Sequence, residues 1–510
     1  MHNYQLDDTL IEFKKNSKPW TYRHAFEGVQ IFGGIGSGKT SGSGAKIAMK
    51  YLEKGFGGLV LTVKHDEVEN WLDYARRANR LDDIIVIEPN GKYKFNCLEY
   101  ESTNSETNKS ITDNIVDVLK TVINASKQKD SGKSEDAFWE NAIDMLMYNL
   151  IDLCKLAYGS VNINFLYSIA ETLPKANDEK PSSLEKTPPS AFENAYNLAH
   201  QNVKKKVFDW YKTVDVGKLH SLKEEEYEEL YLNEVPESRL LKELHQYFFD
   251  SLKNLNERTR SLIDFSLIGF LFRLKRDPVF STFYKEKSNV TPDDCLKGKI
   301  IIINFPVKVY HKVGRDCQIM FKYIWQRRME KRNVKENNIP VFLFADEAQN
   351  FIHEHDADFQ ATARGSRIAT VYLTQNIPNY YGSMGGNNGE FKVKSFIGTL
   401  GTKIFHANSD QDTNNYSSSI IGKAYYKKNS GGSSVGGEGN MSFSTNDSEE
   451  LQDIYQPNEF VGLKNGGEIN NQVVSAIIQI QGTPLFKNNE KSEFYDNYSL
   501  VNFKQLDQLN

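Results

Sequence analysis

Short, unbroken apolar runs recur along both ends of the chain: Val29 to Phe32, Gly58 to Val63, Ile84 to Ile87, Lys299 to Asn304, Val341 to Ala345, Thr370 to Thr374 and Thr402 to His406. Each is too short to be a buried helix and lacks the polar alternation of a half-exposed strand, so each predicts a strand covered on both faces. Between them lie stretches of helical period, Ala45 to Glu53, Glu67 to Ala78 and about Gly314 to Arg332. Strands alternating with helices in this way predict a parallel sheet with helices on both sides.

The pattern changes between about Ser105 and Arg276. Apolar residues there recur at spacings of three and four, as in Phe138, Ala142, Leu146, Leu150, Leu153 and Ala157, which predicts a mostly helical block. The expected fold class is therefore α/β: a domain with a parallel sheet, interrupted by an inserted all-α domain. The expected boundaries are 1–104 and 286–510 for the two parts of the sheet domain and 105–285 for the insertion. Lys175 to Pro189, with its prolines, serines and charges, reads as an exposed loop, and Ser430 to Ser444, rich in Gly and Ser, as a mobile one. Val473 to Ile478 reads as a late strand. Lys204 to Lys206 and Glu224 to Glu226 read as solvated helix faces.

The strongest chemical signal follows the first buried run. Gly33-Gly34-Ile35-Gly36-Ser37-Gly38-Lys39-Thr40, with Ser41 after it, fits G-x-x-x-x-G-K-[ST] in the strand-to-helix position the motif requires. Such a loop turns its backbone N–H groups onto a polyphosphate at the positive end of the next helix. Lys39 would reach the β and γ phosphates of ATP, and Thr40 would hold Mg²⁺. Val341 to Ala345 ends in Asp346-Glu347. An apolar strand that delivers two carboxylates to the sheet edge supplies what the loop needs: Asp346 for the metal's water shell and Glu347 as the base that polarises an attacking water. Gln375 ends the next strand and could sense the γ-phosphate or orient that water. Arg364 and Arg367 lie on the turn before this strand, and Arg364 could reach a neighbouring subunit's site as a catalytic finger.

Other features narrow the field. The chain has 510 residues and a formal charge of -5, which argues against coating nucleic acid through bulk positive charge but not against a local basic channel. Four widely spaced cysteines (97, 154, 295 and 317) form no C-x-x-C pair, so neither a zinc knuckle nor a disulfide framework is expected and a reducing cytoplasm suits them. Neither the polar first residues nor the apolar stretches Met145 to Tyr158 and Leu262 to Leu274, both broken by charges, predict a signal peptide or a membrane span. His353-Glu354-His355 is expected to be solvent-exposed on a helix, where residues two apart do not share a face. The basic stretch Lys322, Arg327, Arg328, Lys331, Arg332 and Lys335 is expected to be a solvated face around a buried Trp325, with a nucleic-acid path as the alternative.

Taken together, the phosphate loop, the helical insertion, Asp346-Glu347-Ala348-Gln349 and the arginine-to-glutamine segment resemble the type IV coupling proteins, the TraD/TraG-like branch of the FtsK-HerA superfamily of ATPases. Lys64 with Asp66-Glu67 is similar to the family's Lys-Gly-Glu segment, with His65 in place of the glycine and Thr62 in place of an aspartate. Asn96-Cys97-Leu98 is similar to its Asn-Pro-Leu. Gly401 to Phe405 followed by Asp412-Thr413 and Gly422 resembles its TraM-recognition region, and Asn458 to Leu463 after Pro457 its late Glu-Phe element. The resemblance implies that the sheet domain is a RecA-like P-loop nucleotide-binding domain and that the chain is a ring-forming, Mg²⁺-dependent ATPase, usually a hexamer. Such a ring recruits single-stranded or relaxase-linked DNA and delivers it to a type IV secretion channel with relaxosome and secretion subunits as partners. It also implies nucleotide roles for Lys39, Thr40, Asp346, Glu347 and Gln375, a trans role for Arg364 and a substrate-facing helical insertion. Many members carry amino-terminal membrane helices that this sequence does not show, so the expected location is the cytoplasm, or the inner membrane periphery through partners. A HerA-like DNA-processing or defence motor and a nucleotide-switched cargo adaptor with little hydrolysis are the open alternatives.

Overall fold

The computed structural model describes residues 4–103, 112–130, 137–175, 188–214, 223–384, 389–435, 441–489 and 493–506. The chain divides into two compact units, one of residues 1–85, 293–302 and 326–510, the other of residues 86–292 and 303–325.

The strands in chain order are β1 (Thr9–Ile11), β2 (Trp20–Thr21), β3 (Val29–Phe32), β4 (Gly57–Leu61), β5 (Ile84–Ile87), β6 (Ile300–Ile303), β7 (Val341–Ala345) and β8 (Ile368–Thr374). They continue with β9 (Thr402–Phe405), β10 (Lys423–Val435), β11 (Met441–Asp453), β12 (Val473–Ile480) and β13 (Tyr498–Lys504). Nine of them form one sheet in the order β13-β12-β9-β3-β8-β7-β4-β6-β5. The pairs β3·β8, β3·β9, β7·β8 and β4·β7 are parallel, and every residue of these five strands is buried. The apolar runs are continuous for that reason: a strand with helices on both faces has no side that tolerates water.

The sheet is not wholly parallel. β12 pairs antiparallel with both β9 and β13, which extends one edge with a meander. β13 reads Tyr-Ser-Leu-Val-Asn-Phe-Lys and alternates half-exposed or exposed with buried positions, the signature of an edge strand with one wet face.

Residues 430–435 and 441–444 of the Gly/Ser segment correct the expectation of a mobile loop, while residues 436–440 lie outside the described residues. β10 and β11 form a hairpin whose register runs from Lys423 opposite Asp453 to Val435 opposite Met441. Backbone pairing organises it, aided near its base by the Lys423–Asp453 and Lys428–Glu450 ion pairs at 3.8 and 3.7 Å. Glycine and serine weaken a strand but do not forbid one where long flanks fix the register.

The second unit is helical, as the period predicts. Its helices include Thr112–Asp130, Ala137–Tyr158, Ile163–Glu171, Ala191–Tyr211 and Glu257–Leu274. Leu146, Leu150 and Leu153 are buried, and Phe192 meets Phe248 edge-on at 5.0 Å. Ser190 and Glu193 make a reciprocal capping box that starts one helix, and Asn162 caps another. Lys204 to Lys206 and Glu224 to Glu226 are exposed, as expected. Residues 176–187 of the predicted proline-rich loop lie outside the described residues. No helix among the described residues is long and apolar enough to cross a membrane.

Two smaller expectations are corrected. His353 is buried at 1 % exposure, in a turn rather than on a helix, because its N–H is held by Asp356 Oδ2 at 2.8 Å and folds it inward. Trp325 is buried as expected, but Lys322 and Arg332 are buried too. Arg332 donates to the Ile339 carbonyl at 2.7 Å, so this stretch is not a uniformly solvated face.

Candidate nucleotide site

The register of three parallel strands builds the site. Phe32 lies beside Thr374 on one side and Phe405 on the other, so the loop after β3, Gln375 after β8 and His406 after β9 leave the sheet at one edge. β7 ends at that edge with Asp346 and Glu347. Carboxyl ends of parallel strands are where open α/β sheets bind ligands.

The loop is held by its neighbours. Gly33 N–H donates to the Thr374 carbonyl at 3.2 Å and Gly34 N–H to that of Ala407 at 2.8 Å. Gly36 and Gly38 have φ of 70° and 77°, the left-handed region in which a side chain is strained. After Lys39 the chain makes a π-helical turn, Thr40–Gly44, that leads into the helix Ala45–Glu53. Ile35, at the tip, is 89 % exposed, while Ser37 and Lys39 are buried.

Two segments about three hundred residues apart in sequence meet here. The Thr40 hydroxyl donates to Asp346 Oδ2 at 2.7 Å, and Lys39 Nζ lies 3.6 Å from Glu347 Oε1. Glu347 has φ 48° and ψ 49°, a left-handed conformation uncommon for a non-glycine residue; its N–H is held by Asp346 Oδ1 at 2.8 Å. Gln375 Nε2 donates to both oxygens of Glu347 at 3.1 and 3.2 Å, and Gln349 Nε2 donates to Oε2 at 2.7 Å. Gln349 in turn accepts from the Thr374 hydroxyl at 2.9 Å. The Glu347 carboxylate is thus held by three side chains, Lys39, Gln349 and Gln375.

The electrostatics separate the carboxylates. Burial pushes Glu347 up, but the Lys39 charge and then the Gln349 and Gln375 hydrogen bonds outweigh it and hold it below the usual range. Burial raises Asp346, against the pull of Lys39 and Thr40. Glu67 is pushed up to about 8 by burial and then by the Asp346 charge; its Oε2 accepts the Val63 N–H at 2.8 Å. One carboxylate whose charged form is favoured and two whose charged form is disfavoured therefore lie along this edge. A hydroxyl paired with a carboxylate, beside an ammonium, is a donor set that fits Mg²⁺ and a polyphosphate.

Several contributors carry little sequence signal. His406 is fully buried, with Nε2 2.7 Å from the Ser43 hydroxyl, and burial, with the Lys39 charge adding, lowers its pKa to about 3. Asn408 Nδ2 donates to the Gln375 carbonyl at 2.8 Å, and its own N–H bonds the Phe460 carbonyl at 3.3 Å. Phe460 packs edge-on against Phe405 at 6.0 Å, so the late Glu-Phe element supports the loop after β9. Only strand register could have pointed to His406 and Asn408.

Arg364 is not at this edge. It follows the helix Asp356–Ala363 and precedes β8, half-exposed, with Nη1 3.3 Å from Glu27 Oε1. Arg367, at φ 52°, donates from Nη1 to the Tyr4 carbonyl at 2.8 Å.

Residues 340–465 match the family described as the TraM recognition site of TraD and TraG. No curated protein matches by sequence. Among solved structures, the unbound bacterial conjugative coupling protein TrwB lacking its first 70 residues is 11 % identical, with a TM-score of 0.58 over 99 % of this chain and 92 % of that one. The plasmid coupling protein TrwB in complex with ADP and Mg²⁺ is 12 % identical, with a TM-score of 0.57 over 98 % and 91 %. At such identity the likeness is one of fold, and it extends over both units.

Proposed function

We propose that this chain is a coupling ATPase of the TraD/TraG kind, which hydrolyses ATP to move DNA or a DNA-linked protein toward a type IV secretion channel. The observation that carries the reading is the meeting of Lys39 and Thr40 with Asp346 and Glu347 at one sheet edge. The family match over 340–465 and the TrwB-like fold support the choice of this branch.

In this reading the loop N–H groups and Lys39 bind the phosphates, and Thr40 and Asp346 hold Mg²⁺ through oxygen. The ion, when bound, neutralises charge on the β and γ phosphates. Glu347 is the general base. It accepts a proton from the attacking water, and Gln375 and Gln349 fix the carboxylate's plane so that it points one way. Lys39, freed from Glu347 by the arriving phosphate, shifts its charge to the γ oxygens.

A ring of such subunits, with single-stranded DNA in its path and relaxosome or secretion subunits docked on it, completes the reading. Attachment to the inner membrane would come through those partners.

ATP turnover by the intact chain, with and without single-stranded DNA at low and moderate salt, is the test. DNA should stimulate turnover and added salt should erase the stimulation, because phosphate contacts release counterions. Glu347→Gln should cut turnover by about 10²-fold or more while ATP still binds. No DNA stimulation, together with unchanged turnover in Glu347→Gln, would leave the adaptor reading in its place.

A further inference from the structure

The polyphosphate has a direction imposed by the sheet. β7, which brings Asp346 and Glu347, lies two strands from β3 on one side, whereas β9, β12 and β13 lie on the other. A triphosphate whose γ end faces Glu347 must run its α end toward the β12–β13 side of the loop.

That side is built up closely. β12 is antiparallel to both of its neighbours, so β13 runs in the same sense as β9 and ends at the phosphate edge. Val474, at the start of β12, lies against the loop: a Cβ on Gly38 would stand 2.5 Å from Val474 Cγ2. Gln505, the residue after β13, donates from Nε2 to the Ser41 hydroxyl at 2.7 Å and accepts the Gly467 N–H at 2.8 Å. A C-terminal side chain thus grips the hydroxyl that directly follows the Lys39-Thr40 pair.

Beyond Gln505 lies a cavity of about 400 Å³, lined by Glu12, Phe13, Lys46, Arg77 and Phe503 along with Gln505 itself. Phe13 and Phe503 meet edge-on at 6.2 Å, and Lys46 stands on the first turn of the helix that begins at the loop. Its volume falls within the range of small-molecule sites, and its lining pairs aromatic surface with cations.

We propose that this cavity takes the ribose and base of the nucleoside triphosphate, and that Gln505, fixed by its bonds to Ser41 and the Gly467 N–H, is the part of the cavity wall that meets the nucleoside rather than the phosphates. The inference rests on the nucleotide reading above and adds the half of the ligand that the phosphate loop does not define.

The test compares ATP with inorganic tripolyphosphate, both with Mg²⁺, on the full chain by calorimetric titration. Glu12→Trp places an indole in the cavity mouth, Glu12→Gln controls for the lost charge, and Gln505→Ala removes the grip on Ser41. Glu12→Trp and Gln505→Ala should each weaken ATP by about tenfold or more, with tripolyphosphate changed less than about twofold. Glu12→Gln should match the parent for both ligands. Equal weakening of both ligands, or no weakening of either, overturns the subsite. Gln505→Ala decides the matter if the tryptophan variant does not fold. Lys39→Ala separates the two levels, since loss of both ligands supports the phosphate site, and retention of both sinks the nucleotide reading itself.

Discussion

His406 illustrates how one residue couples the site to stability. Burial, with the Lys39 charge, lowers its pKa to about 3 from the usual 6.5, so the folded chain refuses a proton that the unfolded chain takes up. The stability it contributes is therefore complete above pH 6.5 and is lost as pH falls through that window toward 3. At pH 5 the loss amounts to about 2 kcal/mol. His24, lowered to about 4, acts in the same direction. Glu67, raised to about 8, acts oppositely: it holds a proton in the folded state, and its contribution fades as pH rises from about 4.5 toward 8. The parent curve mixes these trends, but a difference isolates one of them. His406→Gln should melt lower than the parent at pH 7 and show a smaller fall between pH 7 and 5. Melting curves of parent and variant that stay parallel across that interval would refute the assignment.

At the scale of elements, sequence and structure agree where the environment is uniform. The helix Ala45–Glu53 and the strands β3 and β7 coincide with their expected limits, because a strand buried on both faces or a helix with one apolar stripe has only one stable placement. The phosphate loop and the Asp346-Glu347 pair were legible because their chemistry demands fixed spacing. β13 and the β10–β11 hairpin were not legible, since most of their residues are exposed or polar and pairing between segments, not composition, makes them strands. His406, Asn408 and Gln505 escaped for a related reason: each reaches the site through strand register, which no local pattern encodes. β4 carries a constraint of this kind. A Cβ on Gly57 would lie 1.9 Å from the Cys295 carbonyl oxygen, and backbone cannot yield as a side chain can. Gly57→Ala should destabilise the chain by about 3 kcal/mol. Gly382→Ala, on a helix with open space around the added methyl, should be neutral or stabilise by up to about 1 kcal/mol. Urea midpoints of the two variants check this, and indistinguishable midpoints would show that the 293–297 segment moves aside freely.

For the whole molecule the decisive question is whether one chain completes its own site, and the place of Arg364 poses it. It stands before the first residue of β8, whereas Gln375 follows the last. Seven residues of strand at about 3.3 Å each separate them by about 23 Å. The side chain cannot bridge that distance, so any role in hydrolysis belongs to a neighbour's site, where a guanidinium would neutralise charge developing on the transferred phosphate. The bland alternative is its ion pair with Glu27 at 3.3 Å, a half-exposed contact worth little. Mixing distinguishes them. Lys39→Ala cannot bind phosphate but still offers Arg364, and Arg364→Ala binds nucleotide normally but offers no finger. Each alone should turn over ATP at least about tenfold more slowly than the parent. Mixed in equal amounts and allowed to exchange subunits, they should regain activity above the sum of the two, because some interfaces then join an intact loop to an intact arginine. Mixtures that never exceed the sum, in samples shown by mass to contain both variants in one assembly, would return Arg364 to its own chain and leave its pairing with Glu27 as its whole role.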